Sequence, residues 1–220
     1  MYQHTWKAGG NTLLSVGKVV CIGRNYAEHA KELNNPIPDE PVLFLKPSTA
    51  LVGADVPLSL RESLAPIHYE AELSILIGKP LTNATAEQAE EAIVGIGVAL
   101  DLTRREAQSE LKTKGLPWEL AKAFDGSCVQ SPFVPYHHNL SATEYGLDIN
   151  GVARQRGDTA LMITPVLTLL SHVSQFFTLL PGDIVLTGTP KGVGQLNDGD
   201  ALTLTLSGDV LAQCRCETSA

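Results

Sequence analysis

Short runs of alternating or continuous apolar residues, bounded by Gly, Pro, Asn and Asp, recur along most of the chain. They predict strands at residues 18–22, 42–45, 70–77, 95–102, 147–149, 184–187, 201–206 and 210–216. Asn150-Gly151 is a hairpin signal. Pro181-Gly182-Asp183, Asn197-Asp198-Gly199-Asp200 and Ser207-Gly208-Asp209 read as turns, so the C-terminal third is expected to be antiparallel β.

Helical patterns are fewer. Thr85 and Gln88 have the spacing of a capping box and predict a helix over 86–94. Thr103 and Glu106 repeat that spacing ahead of a polar helix that Gly115 can end. A third helix, over 164–177, gathers Val166, Leu167, Leu170, Val173 and Phe177 on one face. Many strands and few helices, without strict βαβ alternation, predict an α+β fold dominated by strands. The prolines at 36, 38 and 41 make 34–41 a loop where a lid could end. No repeat or linker-like tract divides the sequence, so one domain over 1–220 is expected.

Charge narrows the function. With a formal net charge of −8 and no basic run, the chain lacks the surface that nucleic acid or an anionic membrane requires. The apolar region 163–180 is broken by Ser171, His172, Ser174 and Gln175 and is too polar to span a bilayer. The first residues show no secretory pattern, and a cytoplasmic location is expected. Cys21, Cys128, Cys214 and Cys216 have neither Cys-x-x-Cys nor framework spacing and read as reduced thiols.

Glu70 and Glu72 are two apart in a predicted strand and so share a face. On a solvated face they are ordinary surface polarity; buried, their repulsion requires a proton or a cation. Asp101 ends the apolar run 94–100, as a turn residue or as a strand-end site. Three carboxylates with no histidine or thiolate would make a hard oxygen site, suited to magnesium or manganese better than to zinc. The loop 188–194 is rich in glycine but has neither P-loop spacing nor a dinucleotide fingerprint, which excludes nucleotide binding.

Six ordered blocks carry a resemblance: Gly23-Arg24-Asn25-Tyr26-Ala27-Glu28-His29, Pro41-Val42-Leu43-Phe44-Leu45-Lys46-Pro47, His68-Tyr69-Glu70-Ala71-Glu72-Leu73, Asp101-Leu102-Thr103-Arg104-Arg105, Pro117-Trp118-Glu119-Leu120-Ala121-Lys122 and Leu186-Thr187-Gly188-Thr189-Pro190. Together they resemble the fumarylacetoacetate hydrolase family, in particular its short acylpyruvase-like branch. The resemblance implies a β-rich mixed sandwich or roll with a few flanking helices, usually dimeric. It also implies a divalent metal, Mg2+ or Mn2+, on Glu70, Glu72 and Asp101. His29 and Glu32, three apart on a helical segment over 26–33, would act as general base and orienting carboxylate. By the same resemblance Lys122 would stabilise charge on the reacting oxygen, while Arg105, Gln108 and Thr189 would hold a small 2-oxo acid. The activity expected first is hydrolysis of the C–C bond of an acylpyruvate such as fumarylpyruvate, giving pyruvate and an acid through an enolate. The alternatives are oxaloacetate decarboxylation or keto/enol tautomerisation and, in another class, a silent scaffold that binds 2-oxo acids.

Overall fold

A computed structural model describes residues 2–137 and 139–219. The strands are β1 Val19–Gly23, β2 Val42–Lys46, β3 Leu51–Gly53, β4 Leu58–Arg61, β5 His68–Tyr69, β6 Ala71–Ile77, β7 Ile93–Asp101, β8 Cys128–Gln130, β9 Val134–Pro135, β10 Glu144–Ile149, β11 Val152–Asp158, β12 Ile184–Leu186, β13 Gly194–Gln195, β14 Ala201–Leu206 and β15 Asp209–Ser219. The helices are α1 Ala27–Glu32, α2 Ala86–Ala92, α3 Arg105–Lys114, α4 Glu119–Lys122 and α5 Val166–Phe176. Among the described residues, β2-β1-β12-β6-β7-β8-β3 form one sheet with β9 beside β7, β11-β10-β14-β15-β4 form a second, and β13 pairs with β5. This is the expected β-rich mixed fold with few helices.

The central pair β6 and β7 is antiparallel and buried along nearly its whole length. Along β6 the side chains divide by parity, as the pleat requires. Leu73, Ile75 and Ile77 join a core that includes Leu147, Leu202 and Leu204 of the second sheet and Leu169, Leu170 and Val173 of α5. Leu76 belongs to a separate core with Val19, Cys21, Ile184 and Leu186. Glu72 lies on the Leu76 side, so this face of the strand changes from apolar to charged toward one end of the sheet.

Local signals hold at several places. Thr85 and Gln88 form the reciprocal capping box, and Gly115, with φ +64°, terminates α3 in the left-handed conformation. Asn150 and Gly151 both have positive φ, as a two-residue hairpin between β10 and β11 demands. Helix α2 ends at Ala92, two residues early, because Ile93 and Val94 already belong to β7. Helix α5 begins at Val166 rather than at 164 because Pro165 disfavours helical geometry at the residue before it. Leu169 takes the buried place assigned to Leu167, while Leu167 and Phe177 pack against the core's margin. The second capping box does not form. The Thr103 hydroxyl donates to the Asp101 carbonyl at 3.1 Å and accepts from Lys122 Nζ at 2.7 Å, leaving α3 without a side-chain cap.

The C-terminal strands pair antiparallel with one another, but β12 runs parallel to β1 and β15 parallel to β4. No described helix is long and apolar enough to cross a membrane.

Candidate active site

Pairing of β6 with β7 sets Ala71 opposite Leu100, and the Asp101 N–H donates to the Glu70 carbonyl at 2.8 Å. Glu70 occupies the single-residue break between β5 and β6 rather than the strand itself. Glu70, Glu72 and Asp101 are thereby brought to one end of the central pair, where one carboxylate oxygen from each lies within 4.8 Å of the others. They are 5%, 1% and 1% exposed, which removes the surface reading of the two glutamates. They floor a cleft whose walls include His29, Arg105, Gln108, Lys122 and Thr189.

Buried carboxylates need compensation. Lys122, at the end of α4, donates to Glu70 Oε2 at 2.7 Å, Asp101 Oδ2 at 2.6 Å and Thr103 Oγ1 at 2.7 Å, which engages all three of its protons. Burial lowers the Lys122 pKa, but Asp101 and Glu70 outweigh it and the net is a rise to about 12. Burial raises the Glu70 carboxyl, and Lys122 followed by Arg105 reverses this and holds it well below the usual range. Among the described residues Glu72 has no ion-pair partner of its own, and Lys122 offsets its charge only in part. Burial, then Asp101 and Glu70, push it well above the carboxylate range, and among the described residues its hydrogen bond is from the Gly188 N–H at 2.6 Å. That bond requires glycine: Gly188 has φ +99°, and a Cβ there would meet Asn25 Cβ at 2.7 Å.

His29 and Glu32 face each other as expected on α1, with Nδ1 3.3 Å from Oε2, and Glu32 also accepts from the Gly192 N–H. Burial lowers the His29 pKa against the opposing pull of Glu70 and Glu32, so the ring is neutral near pH 7. Arg105 is paired with Glu70 and donates to Gln108 Oε1 at 2.9 Å, and its buried Nε has no acceptor among the described residues. The Thr189 hydroxyl is engaged with the Ala71 carbonyl and with Gln155 Nε2, and so ties the 187–190 loop to β6.

Three further cations belong to this site. Lys46 is fully buried at the end of β2, with Nζ 2.8 Å from Asp101 Oδ1 and 3.1 Å from Ser127 Oγ. Arg24 and Lys112 line the cleft farther out. A lysine closing the apolar run Val42-Leu43-Phe44-Leu45 was the available signal for Lys46; nothing in the local sequence marks Lys112.

The three carboxylates fit a hard divalent cation. Their donors are all oxygen, Asp101 and Glu70 repel the Glu72 carboxylate more than Lys122 and the Gly188 N–H offset, and among the described residues buried Asp101 Oδ1 has an ion pair but no hydrogen bond.

Residues 18–217 match the model for the fumarylacetoacetate (FAA) hydrolase C-terminal family. The oxaloacetate tautomerase YcgM of Escherichia coli strain K12 is 49% identical over 214 residues, 96% of this chain and 98% of its own. The mitochondrial oxaloacetate tautomerase FAHD1 of Homo sapiens is 40% identical over 208 residues, 92% of this chain and 90% of its own. A fumarylpyruvate hydrolase from Pseudomonas aeruginosa, solved with Mn2+ and pyruvate, is 36% identical, with a TM-score of 0.91 and coverage of 99% and 96%.

The tautomerases correct the expectation of an acylpyruvate hydrolase, since this chain is more similar to them than to the hydrolase. The resemblance carried by the six blocks implies an enolate, which is common to all three candidate reactions, so the blocks do not by themselves separate hydrolysis from tautomerisation. With the family model matched over residues 18–217 and these relatives aligned nearly end to end, the chain belongs to the fumarylacetoacetate hydrolase family.

Proposed function

We propose that this protein is a divalent-metal-dependent oxaloacetate tautomerase, interconverting the keto and enol forms. The observation that carries the reading is the 49% identity to the Escherichia coli tautomerase across 96% of this chain. Held by Glu70, Glu72 and Asp101, Mg2+ or Mn2+ would supply Lewis-acid stabilisation of the charge that collects on the 2-oxo oxygen during enolisation. Support for the metal comes from the convergence of the three carboxylates and from the Mn2+ in the Pseudomonas aeruginosa relative.

The chain's own groups supply the rest. Arg105, with its unpaired Nε, and Gln108 orient the substrate's C1 carboxylate. Glu32 accepts from His29 Nδ1, which leaves Nε2 as the basic nitrogen of a neutral ring. Nε2 removes a proton from C3, the C–H electron pair becomes the second C2–C3 bond as the C2–O π pair moves onto the 2-oxo oxygen, and the imidazolium returns the proton to that oxygen. Glu32 stabilises the imidazolium meanwhile. No C–C bond breaks and no water attacks. Lys122 stays protonated throughout and offsets negative charge at the floor of the cleft. The proposed setting is the cytoplasm, in keeping with four unpaired cysteines, and the proposed assembly is a homodimer.

The test follows enol absorbance and pyruvate release together, on metal-stripped protein with Mg2+ restored. Mg2+-dependent loss of the enol far faster than pyruvate release is expected, with His29→Gln slower by roughly 10²- to 10⁴-fold while Mg2+ binding survives. Pyruvate appearing as fast as the enol disappears would make the enzyme a decarboxylase, and undiminished activity in His29→Gln would remove the proposed base.

A further inference from the structure

The cations of the cleft fall into two groups. At the floor every one has an anionic partner: Lys122 has Glu70 and Asp101, Lys46 has Asp101, and Arg105 has Glu70. Farther out the pattern changes. Among the described residues no carboxylate lies within ion-pair distance of Lys112, and the hydrogen bond of Arg24 goes to the neutral Asn35 Oδ1 at 3.0 Å. In a chain with net charge −8, two cations that face one cleft without a salt-bridge partner among the described residues are not a sample of a generally basic surface.

Their placement is built into the fold. Arg105, Gln108 and Lys112 are at i, i+3 and i+7 on α3 and all line the cleft. The helix rises about 10 Å over those seven residues, so Arg105 sits by the carboxylates and Lys112 near the other end. Lys112 Nζ lies 5.0 Å over the Trp118 ring, and Lys122 Nζ lies 5.1 Å over Phe44. The two rings are 6.0 Å apart and make a short apolar shelf between the two ammonium groups. Arg24 approaches from the turn after β1, held in the left-handed region at φ +62°. Burial, then Arg24, Arg105 and Lys122, lower the Lys112 pKa to about 8, so a bound anion would relieve a crowding that is already present.

We propose that Lys112 and Arg24 form a subsite for the remote carboxylate of a short dicarboxylic 2-oxo acid. The C1 carboxylate and 2-oxo group then lie over the acidic floor, and the intervening carbon lies on the Phe44 and Trp118 shelf. The subsite selects a dianionic four-carbon substrate against 2-oxo acids that end in a neutral group. It rests on the proposed function in taking oxaloacetate as the ligand, and it adds the residues that distinguish oxaloacetate from a monoanion.

The test compares oxaloacetate with its C4 methyl ester, which keeps the 2-oxo acid and loses the remote charge. Wild-type protein, Lys112→Gln, Lys112→Arg and Arg24→Gln, each loaded with Mg2+, are measured in two ways: by kcat/KM for tautomerisation, and by Kd from the change in tryptophan fluorescence as ligand covers Trp118. The wild type is expected to prefer the diacid by about ten-fold or more, the scale of one charge-assisted hydrogen bond. Lys112→Gln and Arg24→Gln should each lose most of that preference by weakening the diacid alone, and Lys112→Arg should retain it. Equal weakening of both ligands, no weakening of the diacid, or no preference in the wild type would overturn the subsite. The fluorescence Kd separates the two proposals: a wild type that prefers the diacid in binding yet turns over neither ligand refutes the tautomerase and leaves the subsite standing.

Discussion

Replacing Lys46 by methionine removes a buried charge while keeping an unbranched chain of similar length, and the size of the loss can be worked out from its neighbours. Lys46 is fully buried; it reaches Asp101 Oδ1 at 2.8 Å and Ser127 Oγ at 3.1 Å, and also donates to the Lys122 carbonyl. Breaking one side of a buried pair costs about 3–5 kcal/mol. The lower end applies here, because Asp101 Oδ2 keeps Lys122 and the Lys122 carbonyl keeps the Ser127 hydroxyl at 2.9 Å. For a chain of this size about 3 kcal/mol lowers the Tm by roughly 6–12 °C. Urea unfolding of metal-stripped protein, followed by tryptophan fluorescence, measures the loss directly. Added Mg2+ should narrow the gap between variant and wild type, since a cation on Asp101 replaces part of the missing charge and no longer faces Lys46. A loss below about 1 kcal/mol in metal-free protein would refute the claim that Lys46 compensates Asp101.

Two further perturbations test the electrostatics with the sign fixed in advance. Burial, Asp101 and Glu70 raise the Glu72 pKa above its ordinary 4.5, so the folded state binds more protons than the unfolded one and stability falls as pH rises above that value. Glu72→Gln should therefore match the wild type near pH 4, exceed it at pH 7 in metal-free protein, and lose the Mg2+-dependent rise in Tm; a uniform loss at both pH values would contradict the buried, protonated glutamate. His4 is buried and donates from Nε2 to the Gly182 carbonyl at 2.9 Å, and burial lowers its pKa against the smaller effects of Gly182 and Asp183. The unfolded chain then binds the extra proton first, so stability should drop as pH falls below about 6.5, and His4→Gln should flatten that slope in urea titrations at pH 7 and pH 5.

Residues whose chemistry contradicts their surroundings were the ones the sequence exposed. Glu72 stands in the buried run Ala71–Ile77 and Asp101 ends the buried run of β7, and in both places a carboxylate among apolar neighbours has to be paid for by a partner. Helical spacing let His29 and Glu32 share a face, and the pair does form, but spacing alone also fits an incidental pair, and their role came from the family resemblance. What stayed hidden was long-range. The strand β11 presents mostly exposed residues, Val152, Ala153, Arg154 and Arg156, and so has no apolar alternation to detect. Thr103 has the spacing of a helix cap, but Lys122, nineteen residues away, recruits its hydroxyl, and a tertiary bond to a charged donor wins over the local cap.

Lys46 shows how far the same reasoning extends. Like Asp101 it closes an apolar strand, in Val42-Leu43-Phe44-Leu45-Lys46, and is drawn into the interior with it. A buried cation at one strand end and a buried anion at another each require a counter-charge, and the two meet at 2.8 Å. Two opposite anomalies in one sequence therefore argue for a contact between them, even when 55 residues separate them and nothing local points from one to the other. Lys112 offers no such anomaly, since a lysine on a polar helix is unremarkable. Its significance arises only from the absence, among the described residues, of a carboxylate within ion-pair distance of it in the folded cleft, which is why the carboxylates of the floor could be singled out from the sequence and the far end could not.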